Sequence, residues 1–121
     1  MLVIGVVGGI GVGKTEVLRL LAGLGAATVA ADELSREALA PGQPALGWVR
    51  GAFGPDYFDA EGRLRRRDLG DLIFRDDAAR TRLEAIVHPA MRELLQERLK
   101  VWRQSGVKVA AVEAAVLAQM G

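Results

Sequence analysis

The apolar run Leu2-Val3-Ile4-Gly5-Val6-Val7 is short and continuous, the pattern of a buried strand. It passes directly into a glycine-rich stretch. Beyond it Val17, Leu20, Leu21 and Leu24 recur at helical spacing, so the pattern predicts an amphipathic helix closed by Gly25. A second short apolar segment, Ala26 to Ala30, predicts a strand ending at Ala31-Asp32 and completing a βαβ unit.

From Glu33 to Ser105 the periodicity is helical and broken by turns. Short helices are predicted from Glu33 to Leu39, Ala45 to Phe53 and Asp68 to Phe74, with a turn at Asp59-Ala60-Glu61-Gly62. Asp76 or Asp77 caps the next helix, expected to run to about Val87, and Pro89 predicts a break at His88 with a fresh helix start. On that last helix Met91, Leu94, Leu95, Leu99 and Trp102 share one face, read as core. After Ser105-Gly106, Val107 to Val112 resumes a strand pattern. The predicted architecture is one domain over residues 1–121. It is an α/β fold with a P-loop NTPase-type parallel sheet in a three-layer α/β/α arrangement, interrupted by a helical insertion at 33–105.

Composition narrows the function classes. The chain has 121 residues, half of them apolar, enough to bury a core. Sixteen basic residues against 15 acidic ones leave no field to draw in nucleic acid or a membrane surface. Cysteine is absent, which excludes disulfides and thiolate-held metals and suits a reducing cytoplasm. No stretch reaches the roughly 20 apolar residues needed to span a bilayer. The N-terminal run lacks a basic start, so it reads as a strand and the protein as soluble.

The chemistry begins at Gly8-Gly9-Ile10-Gly11-Val12-Gly13-Lys14-Thr15, a complete G-x-x-x-x-G-K-[ST] phosphate loop followed by Glu16. Its glycines let successive N–H groups converge on phosphate oxygens, Lys14 can reach the β- and γ-phosphates, and the Thr15 hydroxyl is placed for Mg²⁺. The competing reading is a glycine-rich turn that binds nothing, which the flanking strand and helix disfavour.

Asp32 follows the second strand, at the sheet edge where open α/β folds bind ligands. Two roles stand for it: a base that orients or deprotonates an attacking hydroxyl, or a cap on a helix beginning at Glu33. Arg63, Arg65, Arg66 and Arg67 can bind an anionic acceptor, yet Asp59, Glu61, Asp68 and Asp71 surround them, so most read as solvated. His88 has no metal-ligating neighbours in sequence and reads as structural, as a helix cap, or as a substrate-positioning group. Glu113 is either a water-mediated Mg²⁺ partner or a strand-end charge.

Taken in order, Ile4 to Thr15, Ala31-Asp32-Glu33-Leu34-Ser35-Arg36 and Pro41-Gly42 resemble the dephospho-CoA kinase family. Gly62-Arg63-Leu64-Arg65-Arg66-Arg67-Asp68-Leu69 with Ile73-Phe74 is similar to its G-x-L-x-R-x-x-L-x-x-x-[VI]-F stretch, and Ile86-Val87-His88-Pro89 to its [VI]-H-P signature. The resemblance implies phosphorylation of the ribose 3′-hydroxyl of dephospho-CoA by ATP with Mg²⁺, the last step of coenzyme A synthesis, in the cytoplasm. It implies Lys14 and residues 8–16 on ATP, Asp32 as catalytic base or orienting group, and Arg66 with His88 on the acceptor side. Another small-metabolite or nucleotide kinase, and a noncatalytic nucleotide-binding module, are the alternatives.

Three departures accompany the resemblance. Ala30 stands where the family often has an acid, and the segment Glu113 to Gln119 lacks the proline and final acid of the [DE]-x-P-L-L-x-E pattern. Family members also continue into later strands and an arginine-bearing lid, so the chain is expected to be a fragment of a longer enzyme or a truncated gene product. Its first strand is then expected at a sheet edge, with the third strand between the first and second.

Overall fold

The structure, a computed structural model, describes residues 1–6 and 12–113, with residues 12–15 described as backbone only. Three strands, β1 (Leu2–Val6), β2 (Ala27–Val29) and β3 (Val109–Glu113), form one parallel sheet in the order β1-β3-β2. The helices are α1 (Val12–Gly23), α2 (Ala31–Ala38), α3 (Pro44–Phe53), α4 (Arg66–Arg75) and α5 (Asp77–Gln104). The chain divides into two compact units, Met1–Leu34 with Arg92–Gly121, and Ser35–Met91.

In the first unit β1 and β2 do not pair with each other. The crossover through α1 skips one position, which β3 fills far later in the chain. The register runs from Leu2 beside Val109 to Val6 beside Glu113, and from Ala27 beside Ala110 to Val29 beside Val112. Ala110, Ala111 and Val112 are wholly buried. Alanine is a poor strand former in isolation, and here its burial and its bonds to two neighbours decide the conformation. Leu34 and Leu95 are also fully buried, each contributing about 1.5–3 kcal/mol through removal from water.

Helix α1 packs on β1 and β2 but differs in phase from the sequence pattern. Among its described side chains Leu18 and Leu21 are half-buried, whereas Val17 and Leu20 are exposed, as is Leu24 just beyond the helix, to 77%. The reason is that apolar residues occupy 17, 18, 20, 21, 22 and 24, nearly the whole circumference, so periodicity defines a helix without defining its inward face. Gly25, at φ 97°, ends the helix in a backbone conformation costly to any other residue.

The second unit is helical, with a single isolated antiparallel bridge between Phe58 and Leu64 among its described residues. Its apolar interior includes Leu39, Ala45, Val49, Phe58, Leu69 and Val87. Guanidinium–ring contacts supplement it: Arg82 lies 4.9 Å from the Phe53 ring centroid and Arg50 5.6 Å from that of Phe58. Phe53 and Tyr57 meet edge to face at 6.4 Å.

Helix α5 corrects the expected break at His88. It continues through Pro89 to Gln104, and Asp76 caps it by accepting the N–H groups of Ala78 and Ala79 at 3.0 and 3.2 Å. A mid-helix proline forfeits one hydrogen bond and crowds the carbonyl four residues back, at a cost of about 3 kcal/mol. Val87, Met91 and Leu95 are buried on either side of it, and their i, i+4 stripe stays aligned only if the helix continues. Met91, Leu94, Leu95, Leu99 and Trp102 are buried or half-buried, as the pattern predicted.

This packing makes a contrast measurable by urea unfolding. Leu95→Ala is expected to cost about 2–5 kcal/mol through loss of buried volume. Phe74→Ala, removing a ring that is 93% exposed, is expected to change stability by no more than about 0.5 kcal/mol. Equal effects would contradict the assignment of the core.

Candidate functional site

The carboxyl end of the parallel sheet is the ligand-binding end in open α/β folds, and three chain segments meet it in the first unit. Strand β1 ends at Val6, immediately before the glycine-rich stretch. Residues Gly8, Gly9, Ile10 and Gly11 lie outside the described residues. Val12, Gly13, Lys14 and Thr15 form the first turn of α1, with Glu16 exposed in the next. Among its described side chains Glu16 pairs with Arg19 at 3.4 Å on the surface. A strand delivering the loop and a helix receiving it are thus in place around the motif.

Asp32 occupies the first turn of α2 and is exposed. The helix begins at Ala31 rather than at the expected Glu33, so Asp32 stands inside its first turn rather than before it. The bond at the helix start comes from elsewhere: the Ala31 N–H donates to Oε1 of Glu113 at 2.9 Å. Glu113 is 82 residues away in sequence, the last residue of β3, and its register partner is Val6 at the end of β1. Its carboxylate therefore sits at the positive end of α2, where the orphan N–H groups and helix dipole favour an anion. No local motif announces this contact, because only sheet pairing brings the two residues together. Glu33, next along α2, pairs with Arg98 of α5 at 3.4 Å.

The remaining predicted groups lie in the second unit. Arg66 is the first residue of α4, exposed, and its Nη2 donates to the Arg36 carbonyl at 3.4 Å. Arg65 makes an exposed pair with Asp68 at 3.9 Å, the solvated arrangement expected for most of the cluster. His88 is half-buried inside α5 and does not cap a helix. The sequence reading missed Arg36 as a partner of Arg66.

The turn that presents the arginines is built around Asp59. Its Oδ1 accepts the N–H groups of Arg63 and Glu61, both at 2.9 Å, while its own N–H donates to the Arg63 carbonyl. Gly62, at φ 81°, supplies the positive φ this turn needs. The Arg65 N–H then reaches the Tyr57 carbonyl at 2.7 Å, leading the chain into α4. The Arg63 N–H holds the Asp59 carboxyl below its ordinary value of 3.8, against the opposing effect of desolvation, and the Glu61 N–H and the Arg63 charge add to the lowering.

An open groove lined by Leu21, Leu24, Ala26, Val107 and Val109 lies at the amino ends of β2 and β3, away from the phosphate-loop end. Its lining is mainly apolar, with Lys108 as the charged residue.

A three-stranded parallel sheet with a phosphate-loop motif after β1 and a helix directly after β2 defines an α/β fold of the P-loop type. Comparison with known proteins is more specific. The profile of the dephospho-CoA kinase family matches residues 2–119. A dephospho-CoA kinase from Geobacter sulfurreducens is 47% identical over 121 residues, all of this chain and 61% of that protein. One from Moorella thermoacetica is 41% identical over 122 residues, covering 58% of that protein. A crystal structure of TT1252 from Thermus thermophilus superposes with a TM-score of 0.70 at 33% identity, over 93% of this chain and 55% of that one. A Campylobacter jejuni dephospho-CoA kinase structure shares the fold at a TM-score of 0.70 and 21% identity. The chain belongs to the dephospho-CoA kinase family, and it spans about half the length of the relatives it matches.

The Asp59 turn has a defined pH dependence. A depressed carboxyl pKa contributes stability that is present above the unfolded value of 3.8 and is lost as pH falls through the folded value. Protection of the Glu61 and Arg63 amides, taken against the intrinsic exchange rate at each pH, is expected to fall in wild type over that acid range. Asp59→Asn is expected to show no such step and to converge with wild type in strong acid. A step that persists in the variant would assign it to another group.

Proposed function

We propose that the protein containing this chain transfers the γ-phosphoryl group of ATP to the ribose 3′-hydroxyl of dephospho-CoA, giving coenzyme A and ADP in the cytoplasm. The observation that carries the reading is the family match across residues 2–119, in which the phosphate-loop motif and Asp32 flank one end of one sheet. No helix among the described residues is long and apolar enough to cross a membrane.

In this reading the amides of residues 8–15 cradle the phosphates, and Lys14 places its charge on the β- and γ-phosphates. The donors near the site are hard oxygens, and no group of three His, Cys, Asp or Glu residues gathers among the described residues. That donor set fits a cation held mostly by phosphate and water, as Mg²⁺ is, with Thr15 as its side-chain ligand. Bound there, Mg²⁺ would neutralise charge on the transferring phosphoryl group. Asp32 accepts the proton of the 3′-hydroxyl, or holds it in line, as that oxygen bonds to the γ-phosphorus and the bond to ADP breaks. Exposure of Asp32 suits a base that must meet an incoming substrate. Arg66 and His88, on the helical segment, serve the anionic acceptor. The bond from Arg66 to the Arg36 carbonyl restrains its guanidinium before substrate arrives.

A coupled ADP-release assay on the full-length protein tests this. Dephospho-CoA is expected to be the preferred acceptor, and Lys14→Ala and Asp32→Asn each to lower turnover by about 100-fold or more. Preference for AMP or shikimate would assign the protein to a different small-molecule kinase. Wild-type turnover in Asp32→Asn would remove that residue from the mechanism. The 121-residue chain alone is expected to bind nucleotide weakly and to transfer little in single-turnover experiments; nucleotide binding without transfer in the full-length protein would instead identify a noncatalytic module.

A further inference from the structure

Glu113 stands at a junction of three elements. It ends the central strand, its register partner Val6 ends the strand leading into the phosphate loop, and its Oε1 accepts the first N–H of α2 at 2.9 Å. Asp32 is the next residue of that helix after the bonded one. We propose that Glu113 is a positioning residue for Asp32, fixing where α2 starts and thus where the acceptor-side carboxylate stands relative to the end of β1. This deepens the proposed function and rests on the assignment of Asp32 to the transferred proton.

The geometry supports this role over that of a metal-water partner. Ala31 is the first helical residue, and its N–H has no acceptor within the helix. The residue before it, Ala30, has no side-chain oxygen and cannot make the usual N-terminal cap. A carboxylate from another element supplies the missing acceptor. It also faces the positive end of the helix dipole, which Asp32 and Glu33 share. Without that bond the first turn of α2 can fray, and the side chain displaced first is that of Asp32. Loss of about 1 Å of positioning at a reacting group is worth on the order of 100-fold in rate.

The bond can be cut from either side. Glu113→Ala removes the acceptor, whereas Ala31→Pro removes the donor at a helix position proline tolerates well. Glu113→Gln keeps an acceptor oxygen without the charge. In the full-length protein, Glu113→Ala and Ala31→Pro are each expected to lower kcat about tenfold or more while the KM for ATP stays within about twofold. The double variant is expected to be no worse than either single one, because both remove the same contact. Glu113→Gln is expected to recover most of the rate lost in Glu113→Ala. Exchange of the Ala31 amide is expected to quicken roughly five- to tenfold in Glu113→Ala and to remain near wild type in Glu113→Gln.

Additive losses in the double variant overturn the proposal. So does Glu113→Gln behaving like Glu113→Ala with a raised Mg²⁺ requirement, which would identify a metal-water role. If Asp32→Asn transfers phosphate at the wild-type rate, the assignment of Asp32 fails and the positioning role fails with it. A capping contact would then still be recognised by Ala31 exchange, and unchanged protection in Glu113→Ala would remove that too.

Discussion

The first unit depends on one late strand. β1 and β2 are made early and separated by α1, yet neither pairs with the other; both pair with β3, about eighty residues downstream of β2. A parallel pair requires a crossover, and here one crossover is the whole helical segment from α2 to α5. Ala110, Ala111 and Val112 are successive and wholly buried, so β3 is covered on both faces of the sheet. One strand thereby sets Leu2–Val6 against Val109–Glu113 and Ala27–Val29 against Ala110–Val112.

That register has a chemical consequence. It sets Glu113 level with Val6 and one step beyond the pairing of Val29 with Val112, where its carboxylate meets the start of α2. The end of the strand leading to the phosphate loop and the helix carrying Asp32 are thus referred to the same residue. Surface ion pairs such as Arg19–Glu16 or Arg65–Asp68 have no comparable leverage, since exposed pairs of this kind contribute about 0–1 kcal/mol and hold nothing else in place.

The second unit uses different means. Its helices are short, and the turns between them carry much of the organisation: Asp59 gathers the N–H groups that lead into Arg65 and Arg66, and aromatic rings receive the guanidinium groups of Arg50 and Arg82. Arginine in this unit is therefore a packing residue at some positions and a candidate anion ligand at others. Sequence clustering alone did not distinguish them. Arg65 is taken up by Asp68, while Arg66 is turned to a backbone carbonyl contributed by Arg36.

Much of the fold and the family was legible in the sequence, because the strands are short apolar runs, the turns carry glycine, proline and aspartate, and the ordered motifs occupy nearly the whole chain. The sequence by itself determined which residue types are available for phosphate and proton chemistry. Only the tertiary structure decided which way α1 faces, that α5 runs through Pro89, and what caps α2. The physical reason is common to all three: a helix apolar on most sides has no phase, a proline is tolerated when burial on both sides repays its lost bond, and a cap can be donated by any element that folding brings near. Periodicity reports interactions between neighbours in sequence, whereas the contact between Glu113 and Ala31 exists only through the sheet.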